Sequence, residues 1–250
     1  MNATKTSGDR EVTGQSDADS ERLPALDDSL PGNMQDITTN EHSFSVRMLD
    51  TAEGRNKASL LINKMYAWRG YAGTHMLTDD PNRITLTSTD QGEVVGTITI
   101  GLDSESGILA DELFKPEIDA YRARGARVCE FTKLAFDANG GSRQSMAALW
   151  HLAFLHAHDL HHCTHLFIEV NPRHHRFYQK MMGFQLLSEP RMNPRVNAPA
   201  YLLCLDLDYM KSEVERVGGG RAAPGDRSFY THFYSPREQA GIIGRLKGMS

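Results

Sequence analysis

NPRHHRFYQKMMGF, residues Asn171 to Phe184, decides the fold of this chain. It follows a short apolar run, Leu166 to Val170, that reads as a strand. The stretch is itself amphipathic, with Phe177, Tyr178, Met181 and Met182 on one side at helical spacing. Pro172 stands where a helix starts easily, because its missing N–H would be unpaired there anyway. Gly183 is placed to end that helix in a left-handed turn, and Phe184 opens another strand. The local reading is therefore strand, Asn171, short helix, strand. Tyr178 is either a core aromatic with its hydroxyl satisfied or a site residue, and spacing leaves both open.

Upstream, Phe44, Val46 and Met48 alternate as a first strand. Thr51 caps a helix to about Tyr71, with Ala58, Leu61, Ile62, Met65 and Tyr66 at helical spacing. Asp79-Asp80-Pro81-Asn82 is a turn cluster, followed by a hairpin of Arg83 to Thr89 and Glu93 to Leu102. Asp111 to Arg124 is helical, Arg127 to Asp137 is a strand, and Ser142 caps a helix to about Leu160. Downstream, Phe184 to Leu187 and Ala200 to Leu207 are closing strands. The order predicts an α/β fold with a mixed central sheet flanked by helices, its parallel neighbours confined to the second half.

Composition sets the frame. Residues 1–42 hold nine acidic and three basic side chains, so the net charge of −5 belongs to this segment and the remainder is close to neutral. The segment has almost no apolar periodicity and reads as a disordered polar tail. Residues 43–212 form the domain, and 213–250 read as a linker, marked by Gly218-Gly219-Gly220, and a tail. The tail carries Phe229, Tyr230, Phe233 and Tyr234, which suit it to pack back on the domain. No apolar run approaches the ~20 residues of a membrane span, and no basic stripe suggests nucleic acid. Cys129, Cys163 and Cys204 lack metal-type spacing and read as free thiols in a reducing compartment, most simply the cytoplasm.

Three strings carry a family resemblance: VVGTITI (Val94 to Ile100), GILADELFKPEIDAYRARGARVCEFTKLAFD (Gly107 to Asp137) and NPRHHRFYQKMMGF. Together they resemble the long-chain N-acyl amino acid synthases, which have the GCN5-related N-acyltransferase fold and are related to acyl-homoserine lactone synthases. The resemblance spans about Phe44 to Tyr209. It implies transfer of a fatty acyl group from acyl carrier protein to the amino group of an amino acid. The acyl thioester is then a substrate, and no resident cofactor is implied. Tyr178 becomes a candidate proton donor to the departing thiolate, seven residues after Asn171 as in most of that fold. The resemblance also puts an oxyanion-binding backbone N–H near Leu134 to Phe136, where two parallel strands splay, and a wall of the acyl pocket on the Thr51 to Tyr71 helix.

The residues support such chemistry on their own. Amide formation from a thioester needs a neutral amine, a stabilised oxyanion and a proton for the leaving thiolate. Glu130 stands in an otherwise apolar strand, where burial would raise its pKa towards that of a base; the alternative is an ion pair with Lys133 or an Arg. Lys133 stands where the lactone synthases have an Arg, which makes it a candidate for the acceptor's carboxylate with one-point geometry. Arg69 is a second candidate for that carboxylate. Ser142, Arg143 and Ser145 open a helix after Gly140-Gly141 and are candidates for a carrier's single phosphate, or simply a glycine turn with a Ser cap. The Gly-rich cradle usual in coenzyme A-dependent relatives is absent.

From Asn171 to Arg195 there are five basic residues (Arg173, Arg176, Lys180, Arg191, Arg195) against one acidic, a candidate docking face for an acidic carrier. His174 or His175 is a candidate substrate contact. The histidines between His151 and His165 have no carboxylate or thiolate at ligand spacing, so no metal is expected. Two other readings remain: a coenzyme A-dependent N-acetyltransferase, and a non-catalytic module that binds acyl carrier protein or a lipid.

Overall fold

The computed structural model describes residues 44–49, 51–137 and 142–247; the acidic segment 1–42 and the Gly140-Gly141 pair lie outside them. The chain runs β1 (Phe44–Met48), α1 (Ala52–Trp68), β2 (Arg83–Asp90), β3 (Glu93–Leu102), α2 (Asp111–Arg122), β4 (Val128–Phe136), α3 (Arg143–Phe154), β5 (His165–Val170), α4 (His175–Met182), β6 (Gln185–Leu186), β7 (Arg191–Asn193), β8 (Ala198–Asp206), α5 (Leu207–Val217) and α6 (Pro236–Lys247). The sheet order is β1-β2-β3-β4-β5-β8-β6, with β7 also on β8. Among the described residues only β4 and β5 pair in parallel.

Local chemistry fixes these elements. The Thr51 hydroxyl accepts the Gly54 N–H (3.1 Å) and starts α1. Ser142 and Ser145 form a reciprocal capping box at the start of α3, which continues past Phe154 as a π-helical turn, Leu155–Leu160. The short helix α4 begins at His175 rather than at Pro172, because residues 172–174 form a turn in which His174 N–H donates to the Asn171 carbonyl (2.9 Å). Gly183 ends α4 at φ 79°, a left-handed conformation that glycine adopts without a side-chain clash.

Helices cover both faces of the sheet. On one face α3 and α4 pack in the main core, with Trp150, Phe154 and Tyr178 against Phe131, Leu166 and Ile168. On the other, α2 buries Phe114 and Ile118 against Val128 and Phe167, and α1 buries Leu61 and Met65 against Ala135. Residues past 212 join the first face. α5 runs on to Val217, and Phe229, Tyr230, Phe233, Ile242 and Leu246 enter the main core. The Tyr230 hydroxyl donates to the Met182 carbonyl at the end of α4 (2.7 Å). His151 Nδ1 accepts the Tyr234 N–H (3.0 Å), which leaves its Nε2–H to face Gln239 Oε1 (3.2 Å). Burial lowers this imidazole to about 4, so it stays neutral.

Two features of β4 place the site. Its pairing with β5 covers only Val128 to Glu130 opposite His165 to Phe167, yet both strands continue, so they splay beyond Glu130. Against β3, Lys133 and Leu134 together oppose the single residue Ile98, a bulge with Lys133 at φ 52°.

Candidate active site

The splay opens two clefts that meet. One lies on the α3/α4 face, about 440 Å³, with Leu134, Trp150, Ile168, His174 and Tyr178 in its walls. The other lies on the α1/α2 face, about 700 Å³, with Tyr66, Tyr71, His75, Leu109 and Arg195 in its walls. Phe131, Thr132, Lys133, Glu169 and Asn171 line both. A reactant on each face can therefore reach the other through the gap between β4 and β5.

Glu169, near the end of β5, is the carboxyl at this meeting point. Burial pushes its carboxyl up to about 7; the Arg195 guanidinium opposes this, while Glu130 and Glu112 add to it. Arg195 pairs with Glu169, and Asn193 Nδ2 donates to it (3.2 Å). Sequence reasoning missed Glu169, although its signal was present: a lone carboxylate in the apolar run Leu166 to Val170, the pattern that singled out Glu130.

Glu130 is buried as expected, but both of its oxygens are held by donors. It is only 1% exposed, and its oxygens accept Arg83 Nη1 (2.8 Å) and the backbone N–H groups of Leu109 (2.8 Å) and Ala110 (3.0 Å). The ion-pair alternative is the one realised, with Arg83 as partner. Gly101 makes room for it, since a Cβ there would meet Glu130 Oε1 at 2.7 Å. This carboxylate ties β4 to the start of α2 and to the Leu109 wall of the second cleft.

The bulge turns Lys133 into both clefts, where its Nζ donates to the Met76 carbonyl (3.0 Å). Burial and the nearby Arg83 charge lower this ammonium to about 8, against the pull of Glu130. His75 packs on Tyr66, ring centroids 4.2 Å apart. Burial lowers its imidazole; the Ala72 carbonyl opposes this, and the Lys133 and Arg195 charges add to it.

The other expected residues divide. Leu134 lines the α3/α4 cleft, whereas Phe136 is back in register with Gly96 and beyond the opening. Asn171 lines both clefts, and its Oδ1 accepts the Arg173 N–H (3.2 Å). Tyr178 belongs to the main core and also lines the α3/α4 cleft, 6.0 Å from Trp150 between ring centroids. His174, not His175, lines that cleft; His175 Nδ1 instead bonds the Pro172 carbonyl and its ring meets Tyr201. Arg69 caps α1 with its guanidinium over Trp68, and neither cleft includes it. Trp68 is 70% exposed and lines neither cleft.

Ser142 and Ser145 hold each other in the capping box, so their hydroxyls are already engaged at the helix start. Of the basic run, Arg191 pairs with Glu117 and Arg195 with Glu112 and Glu169, both turned towards α2 or the cleft. Arg173 lies over Tyr71, its Nη2 donating to the hydroxyl (3.1 Å). Arg143, Arg176 and Lys180 are in no ion pair among the described residues. No group of three His, Cys, Asp or Glu side chains among the described residues is placed to hold a metal, and no described helix is long and apolar enough to cross a membrane.

A sheet opened between its one parallel pair, a bulge on the first of those strands and clefts on both faces define an acyltransferase of the GCN5-related N-acyltransferase fold. The profile of the N-acyl amino acid synthase FeeM family matches residues 57–206, and the chain belongs to that family. Its structure is similar to that of FeeM, an N-acyl amino acid synthase from uncultured soil microbes, with 24% identity, TM-score 0.61, and coverage of 70% of this chain and 96% of that one. It is also similar to Arabidopsis thaliana NAA60 in complex with acetyl-CoA, with 11% identity, TM-score 0.50, and coverage of 66% and 99%. No curated protein matches the chain in sequence.

Proposed function

We propose that the enzyme transfers a long-chain fatty acyl group from the thioester of acyl carrier protein to the amino group of an amino acid. The observation that carries this reading is the meeting of two clefts from opposite faces of the sheet at Glu169, a carboxyl raised to about 7. The thioester arm takes the α3/α4 cleft and the amino acid the other. Near neutral pH Glu169 is about half ionised; solvent takes the first proton of the amino acid's ammonium, and Glu169 takes the second as the C–N bond forms. The amine's lone pair attacks the thioester carbon to make that bond. The carbonyl oxygen becomes negative beside the bulge, where the Leu134 N–H is the candidate donor. Collapse breaks the C–S bond. The sulfur leaves with a proton from the Tyr178 hydroxyl, which solvent restores as Glu169 gives up its own. Lys133 faces the amino acid's carboxylate.

A carrier protein suits the donor side better than a free nucleotide. The first-turn hydroxyls of α3 are engaged with each other, which weakens the start of that helix as a pyrophosphate cradle. Arg143 on α3 and Arg176 and Lys180 on α4, the two helices that wall this cleft, would give an acidic carrier a basic rim. Three unpaired thiols fit a reducing compartment such as the cytoplasm.

The test is direct. Purified enzyme with a long-chain acyl carrier protein and mixed amino acids releases free carrier thiol and an N-acyl amino acid, seen by mass spectrometry. Turnover of acetyl-coenzyme A with no carrier-dependent product from any amino acid would sink the proposal.

A further inference from the structure

Two residues that line the α3/α4 cleft each carry a buried polar atom with no protein partner among the described residues: Trp150 Nε1 and Thr132 Oγ1. Trp150 is only 1% exposed. A buried indole N–H ordinarily finds an acceptor, and leaving one unmade is costly. The indole is also held firmly, with ring centroids 5.4 Å from Phe131, 6.0 Å from Tyr178 and 6.2 Å from Phe184. It has been fixed in place with its N–H unused. Thr132 lies in the stretch of β4 that no longer pairs with β5, and lines both clefts. One donor thus comes from the helix side of the cleft and one from the strand side.

We infer that the Trp150 N–H and the Thr132 hydroxyl are hydrogen-bond donors to a carbonyl oxygen on the acyl donor's arm, and that they fix the depth at which the thioester stops. The lining selects for a neutral ligand. Beside these two residues the wall mixes apolar side chains (Phe131, Leu134, Ile168, Val170) with Glu169 and Asn171, and Lys133 is its one Lys or Arg, so no cluster of cations awaits a phosphate. A slim chain carrying amide and thioester carbonyls, as in a pantetheine arm, meets that requirement; a phosphate does not. The inference rests on the reading of this cleft as the donor side.

The chain has two tryptophans, and the second, Trp68, is exposed, so a Trp68→Phe background makes Trp150 the sole emitter. Titrating that protein with a long-chain S-acyl pantetheine is expected to red-shift the emission as the indole N–H gains an acceptor. In wild-type background, Trp150→Phe keeps the aromatic packing and removes the donor. It should raise the KM for the acyl donor about 5- to 10-fold, the size of one neutral hydrogen bond, with the amino acid's KM unchanged. Thr132→Val, which keeps the shape, should raise the same KM by a few fold and guards against a folding defect in the first variant. Donor KM values unchanged in both variants, with no emission shift at saturating pantetheine thioester, would overturn the assignment. An emission shift without any transfer from acyl carrier protein would keep the assignment and overturn the carrier as donor.

Discussion

Glu130 and Glu169 stand on adjacent strands and on the same face of the sheet, yet they live in opposite conditions. Glu130 belongs to the closed half of the β4–β5 pair, where the ladder is intact and its carboxylate takes an arginine and two backbone N–H groups. Glu169 belongs to the open half, where the strands have parted and burial without enough donors raises its carboxyl to about 7. The same residue type, a few ångströms along the sheet, is an anchor in one half and a titrating group in the other. What differs is the number of hydrogen-bond donors the backbone supplies. The open half holds the groups proposed to meet substrates: Glu169 and Thr132 on its strands, with Trp150 on the helix beside them.

The comparison breaks most sharply at Glu169. Glu169→Gln should lower kcat/KM by roughly 10²- to 10⁴-fold, the range of a lost general base. In wild type the rate should rise with pH through about 7 and then level, because only the ionised carboxyl accepts a proton. The variant's residual rate should lack that step. Stability should move the other way. A carboxyl raised from its ordinary 4.5 favours the folded state while protonated, so wild-type stability falls as pH climbs towards 7 and that slope vanishes in the variant. Urea titrations at several pH values read this directly.

Glu130→Gln should act chiefly on the fold. Arg83 is partly exposed and keeps Asp80, so losing the charged acceptor of its hydrogen bond and of two backbone N–H groups costs about 1 to 3 kcal/mol in denaturant unfolding. In the same variant the pH midpoint of the rate should shift down, because the Glu130 charge helps hold Glu169 high. A variant with wild-type stability and no change in midpoint would end the assignment of separate roles. At Lys133, substitution by Met should raise the KM for the amino acid about 10-fold, a lost charge-assisted contact, while the donor KM holds. Wild type should lose acceptor affinity as pH passes about 8, where this lysine deprotonates, and the variant should be flat. The smallest effect belongs to the rim. Arg176→Glu with Lys180→Glu should raise the carrier's KM several fold at low salt and little at high salt, as expected of exposed charges.

Much of the fold was legible in the sequence because it is written locally. The Gly183 stop, the Thr51 and Ser142 caps and the hairpin around Gln91-Gly92 each depend on neighbours within a few residues. The candidate site was legible in part. Leu134, Asn171, Lys133 and Tyr178 do gather at the opening, because they lie on the two strands and the helix that bound it. The division of labour between Glu130 and Glu169 was not, since it depends on where two strands stop pairing, and periodicity carries no register. Arg195 was grouped with surface charges because its partners Glu112 and Glu169 are 83 and 26 residues away. The sequence leaves His174 and His175 as alternatives for want of the turn at 172–174, and of the two only His174 lines the cleft.

The bond from the Tyr230 hydroxyl to the Met182 carbonyl carries a consequence for biosynthesis. A chain is made from its amino end, and the helix bearing Tyr178 is emitted well before the residues that prop it up. Strands β1 to β5 can pair as they emerge, but the α3/α4 side keeps an uncovered apolar face until residues 229–246 follow and close over it. Until then the nascent enzyme offers a sticky surface to chaperones rather than a finished site. The α3/α4 wall of the cleft is thus among the last parts of the molecule to be completed.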